Sequence, residues 1–251
     1  MIIGAILAAG KGTRINSHTV NKTTLPFNGK PLIDYAAKLF RDSVDETVVV
    51  VNAFKESVIN ALFGYRVRYV DQGEPLGTGH AVQVVIDDLQ KRSLFPTQLV
   101  VGYGDHMMFY TPAIVRRMIL TNQHRKAAVT LITTYFDDPD ALGLGRVVRG
   151  GPQDHITKII EQKEATEKER EIKELNAGFY CFDYRFLLST KDKINKSAVT
   201  GEYYINEFIG IAIAQKKLVL ALKTDFKYVG IGVNTKEQLK LSQGLFKLRK
   251  I

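Results

Sequence analysis

The sequence predicts an α/β fold: a doubly wound, Rossmann-like mixed sheet whose second half is more antiparallel. Three observations carry this. Through the first half, continuous apolar runs, of the kind buried on both faces of a parallel sheet, alternate with amphipathic helical segments. Beyond residue 136 short strands follow one another without intervening helices. No Gly/Ser/Pro-rich linker and no internal repeat divides the chain, so residues 1–251 read as one domain in two halves, 1–136 and 137–251.

"MIIGAILAA" is the first buried strand. In "PLIDYAAKLFRDS", Pro31 stands at helix position N1, and Leu32, Tyr35, Ala36, Leu39 and Phe40 recur at helical spacing. "ETVVVVNAF" is a second strand, "KESVINALF" a helix and "YRVRYVD" a third strand. "GHAVQVVIDDLQKR" and "PAIVRRMILTNQHR" are helices flanking the strand "QLVVGYGD". Such alternation requires right-handed crossovers, with helices on both faces of the sheet. "AAVTLITTYF", "GRVVRG", "ITKIIEQK" and "LNAGFYCFD" continue as strands. "GEYYINEFIGIAIAQKK" reads as a helix, "LVLALKT" and "FKYVGIGV" as strands, and "KEQLKLSQGLFKLRK" as a closing helix. "EQKEATEKEREIKE" is charge-dense and reads as a solvated loop or short exposed helix.

With 251 residues, 45% of them apolar, the chain can bury a substantial core. It has no run of about eighteen apolar residues, so no membrane span is expected. "MIIGAILAAG" has no basic segment ahead of its apolar run and reads as a strand, not a signal peptide. A single cysteine, Cys181, excludes an intramolecular disulfide framework, and its place in "GFYCF" is that of a packed thiol. A cytoplasmic protein is the expectation. The formal charge of +9 suits an anionic partner. The cations are spread out, with no basic stripe interleaved with aromatics, which favours phosphorylated small molecules over nucleic acid.

In open α/β sheets ligands sit beyond the carboxyl ends of strands. "ILAAGKGTRI" places Gly10, Lys11, Gly12, Thr13 and Arg14 there. Glycines bring backbone N–H groups close to a ligand, and the cations add charge. The stretch is an anion cradle or simply a tight turn. It is neither of two familiar phosphate motifs: the third glycine of G-x-G-x-x-G is replaced by Ile15, and Lys11 is followed by Gly12 instead of Ser or Thr.

The company it keeps is more specific. "LAAGKGTR", Lys22 and "GKPLIDY", with Lys22 eight residues before Lys30, resemble the signature of the sugar-1-phosphate nucleotidyltransferases. "DQGEPLGTGHAVQ", "YGDHMMF", "GLGRVVR", "IIEQKEAT", "ELNAGFYCF", "GEYYINEFI" and "GVNTKEQL" follow in family order. Together they are most similar to the uridylyltransferase domains of the N-acetylglucosamine-1-phosphate uridylyltransferases. The resemblance implies a nucleotide-binding half, 1–136, and a sugar-binding half, 137–251. It implies uridylyl transfer from UTP to a sugar-1-phosphate: the sugar phosphate attacks the α-phosphorus, and UDP-sugar and pyrophosphate form.

Residue by residue, the resemblance assigns Leu7, Ala8, Ala9 and Gly10 to the nucleoside, and Gly12, Thr13 and Arg14 to the triphosphate. Arg14 would stabilise the departing pyrophosphate and Lys22 the α-phosphate; Lys11 is either a further contact or a solvated side chain. Asp105 and Asn234 would hold Mg²⁺, a hard cation that takes a few protein oxygens plus phosphate and water. Gln72 and Gly77 would read the base, and Thr78 would cap the following helix while lining the pocket. Where related enzymes have a second glutamine this chain has Pro75. Tyr103, Gly104, Gly145, Glu161, Asn176, Glu202 and Tyr203 fall to the sugar side, Tyr203 being a pocket wall or plain core packing. Ala177 stands where the family usually has threonine. The histidines are not at metal-ligand spacing.

No hexapeptide repeat of a left-handed β-helix is present, so uridylyl transfer without acetyl transfer, in a monomer or homodimer, is the expectation. Within enzymes the alternative is another sugar-1-phosphate, such as glucose-1-phosphate, or another NTP. Outside enzymes it is a non-catalytic nucleotide-sugar-binding subunit. Arg14, Lys22, Asp105 and Asn234 together argue against the latter.

Overall fold

The computed structural model describes residues 1–10, 12–15, 19–151 and 154–249, without the side chain of Thr13. Its first half follows the predicted alternation: β1 (Ile2–Leu7), a short hairpin of β2 (Pro26–Phe27) and β3 (Lys30–Pro31), α1 (Leu32–Arg41), β4 (Glu46–Val51), α2 (Lys55–Ala61), β5 (Val67–Asp71), α3 (Thr78–Lys91), β6 (Gln98–Tyr103), α4 (Pro112–Arg125) and β7 (Val129–Tyr135). The second half adds β8 (Gly145–Gly150), β9 (His155–Ile160), α5 (Glu167–Arg170), β10 (Glu174–Asp183), α6 (Tyr184–Thr190), α7 (Asn206–Ala214), β11 (Val219–Lys223) and α8 (Lys236–Leu248).

One sheet runs in the order β11-β7-β10-β6-β1-β4-β5, with β8 paired to β10 and β9 paired to β8. β6, β1, β4 and β5 are mutually parallel, whereas β10 runs antiparallel to both β6 and β7. The expected mixed sheet is therefore present. Because strand side chains alternate between faces, Ile3, Ala5, Val48 and Val50 pack on the α3/α7 side. Ile6, Val49 and Val51 pack on the α1/α4 side. Cys181 is buried in that second layer, where burial pushes its thiol pKa up.

α8 closes the molecule through edge-to-face contacts of Phe246 with Phe27, Tyr35 and Phe109. The charge-dense stretch contains the exposed α5, whose Thr166 and Glu169 form a capping box. Among the described residues no helix is long and apolar enough to cross a membrane.

Several local expectations need correction. "FKYVGIGV" forms a 3-10 turn (Phe226–Tyr228) followed by irregular chain, not a strand. Gly230 is left-handed there, and a Cβ on it would sit 2.2 Å from the Phe109 ring, so extended backbone does not fit. "GEYYINEF" becomes helical only at Asn206, because the Tyr203 backbone is already engaged: its N–H donates to Leu76 O at 2.8 Å and its carbonyl accepts from Gly79 N at 2.7 Å. Pro31 is the cap preceding α1, not its first residue. α6 follows directly on β10, started by Asp183, whose side chain accepts from Phe186 N at 2.8 Å.

Candidate active site

The parallel pairing of β1 with β6 delivers two loops to one edge. Leu7 lies opposite Tyr103, and Gly104 N donates to Leu7 O at 3.0 Å. The start of β10 reaches the same edge because that strand runs antiparallel. Asn176 there pairs with Gly145, and Arg146 pairs with Ile160, which brings Glu161 alongside. Sheet register thus gathers residues spread across the second half of the chain.

These elements enclose a cavity of about 560 Å³. Of the predicted residues, Leu7, Ala8, Ala9, Gly10, Arg14, Lys22, Gln72, Gly77, Thr78, Tyr103, Asp105, Gly145, Glu161, Asn176, Glu202 and Asn234 line it. Gly12, Gly104 and Tyr203 are outside that lining. Gly104 packs against the Thr23 side chain, and Tyr203 acts through its backbone, which clamps the loop before α3. Lys11 and the Thr13 side chain lie outside the described residues.

At one end of the cavity four polar side chains converge. Lys22 is ion-paired with Asp105, and its Nζ donates to Asn234 Oδ1 at 3.0 Å. Arg14 donates to the same oxygen at 3.1 Å. A carboxylate oxygen and an amide oxygen therefore face one cationic group, which is the donor chemistry a hard divalent cation requires. Two devices that sequence reading missed hold this cluster. Asn21, fully buried, starts the 3-10 turn carrying Lys22. Its Nδ2 donates to Ala8 O at 2.7 Å and its Oδ1 accepts from Thr23 N at 2.9 Å, tying the turn to the exit of β1. Asn234 N donates to Gln238 Oε1 at 2.9 Å in the first turn of α8. An asparagine immediately before "KTT" is a cap signal that could have revealed the first of these.

In the middle of the cavity, the Gln72 amide nitrogen donates to Gly77 O at 2.9 Å and lies 3.3 Å from His80 Nδ1. The loop thus takes one amide donor of Gln72, and His80 Nδ1 lies within hydrogen-bond reach of the same nitrogen. Gly77 has φ +112°, and a Cβ on it would sit 2.4 Å from Tyr203 O. Thr78 does not cap α3. Gly77 holds the cap position without a side-chain bond, and Thr78 Oγ1 instead accepts from Ile205 N at 3.0 Å, joining α3 to the start of α7. Burial keeps the lining His106 neutral by lowering its pKa.

At the far end Glu161 stands among carboxylates. Burial first, then Glu164 and Glu202, push its pKa up to about 7, with Lys163 pulling the other way. Asn176 donates to the Tyr180 hydroxyl at 2.8 Å and accepts from Gly178 N at 3.2 Å. Gly178, at φ +68° in a bulge of β10, admits the Tyr103 ring, which would lie 2.6 Å from an added Cβ. Burial raises the Tyr103 and Tyr180 pKa values, so both stay protonated. A glycine inside an apolar strand is a bulge signal, and it could have drawn attention to Tyr180 on the same stretch of β10.

Fully buried Arg146 binds the rim of this end together. It donates to Arg170 O at 3.1 Å, Gln162 Oε1 at 2.8 Å and Asp140 Oδ1 at 2.7 Å, and to Leu144 O. That fixes the Leu142–Gly145 segment that lines the cavity.

Comparison with known proteins places the chain among relatives. A bifunctional protein GlmU of Clostridium perfringens is 33% identical over 245 residues, covering 97% of this chain and 52% of that protein. The chain thus spans about half the length of the curated relatives it matches. A solved Bacillus anthracis structure, described as a glucose-1-phosphate thymidylyltransferase in complex with a sucrose, superposes with a TM-score of 0.77 at 19% identity, covering 100% of this chain and 97% of that one. A UDP-glucose pyrophosphorylase complexed with UDP-glucose superposes with a TM-score of 0.76 at 16% identity over 100% of both chains. Both share the fold. The model of the MobA-like NTP transferase domain matches residues 4–164, and the chain belongs to that family of nucleotidyltransferases.

Proposed function

We propose that this chain transfers a uridylyl group from UTP to N-acetylglucosamine-1-phosphate or a close sugar-1-phosphate, releasing pyrophosphate. The observation that carries the reading is that a cationic, oxygen-ligand end and a hydrogen-bonding, carboxylate end share one cavity. Similarity to GlmU proteins along nearly the whole chain supports it.

The sugar phosphate supplies the nucleophilic oxygen. A P–O bond forms at the α-phosphorus as the bond to pyrophosphate breaks, so the protein's task is charge neutralisation and alignment. Lys22 stabilises charge around the α-phosphate, and Arg14 the leaving pyrophosphate. Asp105 and Asn234 would hold Mg²⁺, which supplies further neutralisation of phosphate charge. The Gln72 carbonyl oxygen accepts from the imide N–H of uracil, a group cytosine lacks. Glu161 and Glu202 accept from sugar hydroxyls.

Glucose-1-phosphate with UTP or dTTP is the second reading. Thymine carries the same imide, Ala177 stands where a threonine is usual in the resembling enzymes, and two structural relatives are named for glucose compounds. The deciding experiment supplies four NTPs with Mg²⁺ against a panel of sugar-1-phosphates and measures pyrophosphate release. Release with UTP and N-acetylglucosamine-1-phosphate is expected. Release only with glucose-1-phosphate moves the sugar assignment, and no release with any pair favours a non-catalytic nucleotide-sugar-binding protein.

A further inference from the structure

The side chain joining the sugar-side residues is one that no motif singled out. Asn206, the first residue of α7, is buried. Its Nδ2 donates to Glu161 Oε1 at 2.6 Å. Its Oδ1 accepts from Asn176 Nδ2 at 3.1 Å and from the Tyr180 hydroxyl at 3.4 Å. Asn176 also donates to that hydroxyl. One amide thus touches β10 on its acceptor side and the segment after β9 on its donor side.

An amide is suited to this because it offers a donor and an acceptor in one rigid plane. An aspartate there would lose the donor and set a second carboxylate against Glu161. A leucine would lose both bonds and leave Asn176 and Glu161 short of partners in a buried setting, where unpaired polar groups are costly. The surroundings sharpen the need. Glu164 and Glu202 face Glu161 with like charge, Lys163 is the opposing cation, and Tyr103 and Tyr180 complete the wall. A carboxylate repelled by two neighbours turns toward solvent unless a donor holds it.

We propose that Asn206 is the positioning residue of the sugar subsite, pinning Glu161 and Asn176 in one arrangement so that the second carboxylate oxygen of Glu161 is left to accept from a sugar hydroxyl. Asn206 itself does not line the cavity; it acts through its two partners. The inference rests on the sugar-1-phosphate reading above for its kinetic consequence, but not for its structural one.

The test therefore has two arms. In the first, the Glu161 carboxyl is followed by NMR in the ligand-free protein carrying ¹³C-labelled glutamate, with Glu161→Gln identifying the signal. The wild-type midpoint is expected near 7. Asn206→Leu removes a donor that favours the charged form and moves the midpoint up by about one pH unit. Asn206→Asp moves it further, since it also adds charge. An unmoved or lowered midpoint in folded variants overturns the proposal. Should one variant fail to fold by circular dichroism, the other carries the same readout.

In the second arm, kinetics are measured at pH 8 with whichever sugar-1-phosphate the wild type turns over. Asn206→Leu is expected to raise its KM about tenfold, while the KM for the NTP changes less than about twofold. In the Glu161→Gln background the same substitution loses most of its effect, because contacting residues are not additive. Equal rises in both KM values, or full additivity, overturn the positioning role. If the wild type turns over no sugar-1-phosphate, the functional reading fails while the titration still decides the role of Asn206.

Discussion

Lys22 and Asn234, 212 residues apart in the chain, meet at 3.0 Å, and the same ammonium is ion-paired with Asp105. The contact joins the first loop region to the turn before α8. It makes Lys22 the residue through which both candidate metal-ligand oxygens see a positive charge. Replacing Lys22 with Met removes that charge at nearly constant volume. Turnover, read as pyrophosphate release, is expected to fall about 10²- to 10³-fold, as for loss of a preorganised group facing transition-state charge. Lys22→Arg keeps the charge and is expected to retain more activity than the Met variant.

Metal dependence is tested at the other side of the contact. Chelation with EDTA is expected to abolish pyrophosphate release, and added Mg²⁺ to restore it. Asp105→Ala is expected to abolish release at any Mg²⁺ concentration while the circular dichroism spectrum is unchanged. Turnover that survives both treatments contradicts the assignment of Asp105 and Asn234 as ligands.

Glu161 gives a pH signature. Its carboxyl is raised in the folded protein to about 7 from an ordinary 4.5, first by burial and then by Glu164 and Glu202. A raised carboxyl favours folding while protonated, so its contribution is fully present below pH 4.5 and is lost as pH rises through 7. Glu161→Gln is always neutral and escapes that loss. Relative to wild type, its melting temperature is expected to gain progressively between pH 4.5 and 7 and to level off above. The plateau is about 3 kcal/mol, or roughly 6–12 °C for a chain of this size. A difference that stays constant with pH would show that Glu161 is not held in this environment.

Gly77 tests how the loop before α3 is held. It combines φ +112° with a Cβ position 2.4 Å from Tyr203 O. Because the obstacle is backbone, Gly77→Ala must displace either the loop or the clamp at Tyr203. A loss of about 2–4 kcal/mol is expected, together with a raised KM for the NTP. Thermal melting and initial-rate kinetics measure the two effects.

Much of the architecture was legible because its signals are local. The continuous apolar run "ETVVVV" and the helical spacing in "PLIDYAAKLF" both emerge as predicted elements. "FKYVGIGV" was misread because its apolar residues meet the core from an irregular chain, held by Phe109 against Gly230, and no local pattern carries that contact. Thr78 was misread for a similar reason. Its hydroxyl serves the backbone of Ile205, 127 residues away, instead of its own helix. The family signature brought forward Arg14, Lys22, Asp105 and Asn234. It passed over Asn21, Arg146, Tyr180 and Asn206, whose roles are to hold other residues.

The sequence by itself determined the mixed α/β sheet and the identity of most side chains that line the cavity. Those properties follow from periodicity, from residue chemistry and from motif order, all of which are written along the chain. Only the tertiary structure decided which groups are spent and which are free. Gln72 donates to the Gly77 carbonyl, Lys22 is shared between Asp105 and Asn234, and Asn206 ties Glu161 to Asn176. Each of these depends on strand order and antiparallel register or on the packing of distant loops, and hydrogen-bond satisfaction in a buried site is settled by three-dimensional neighbours that sequence distance does not encode.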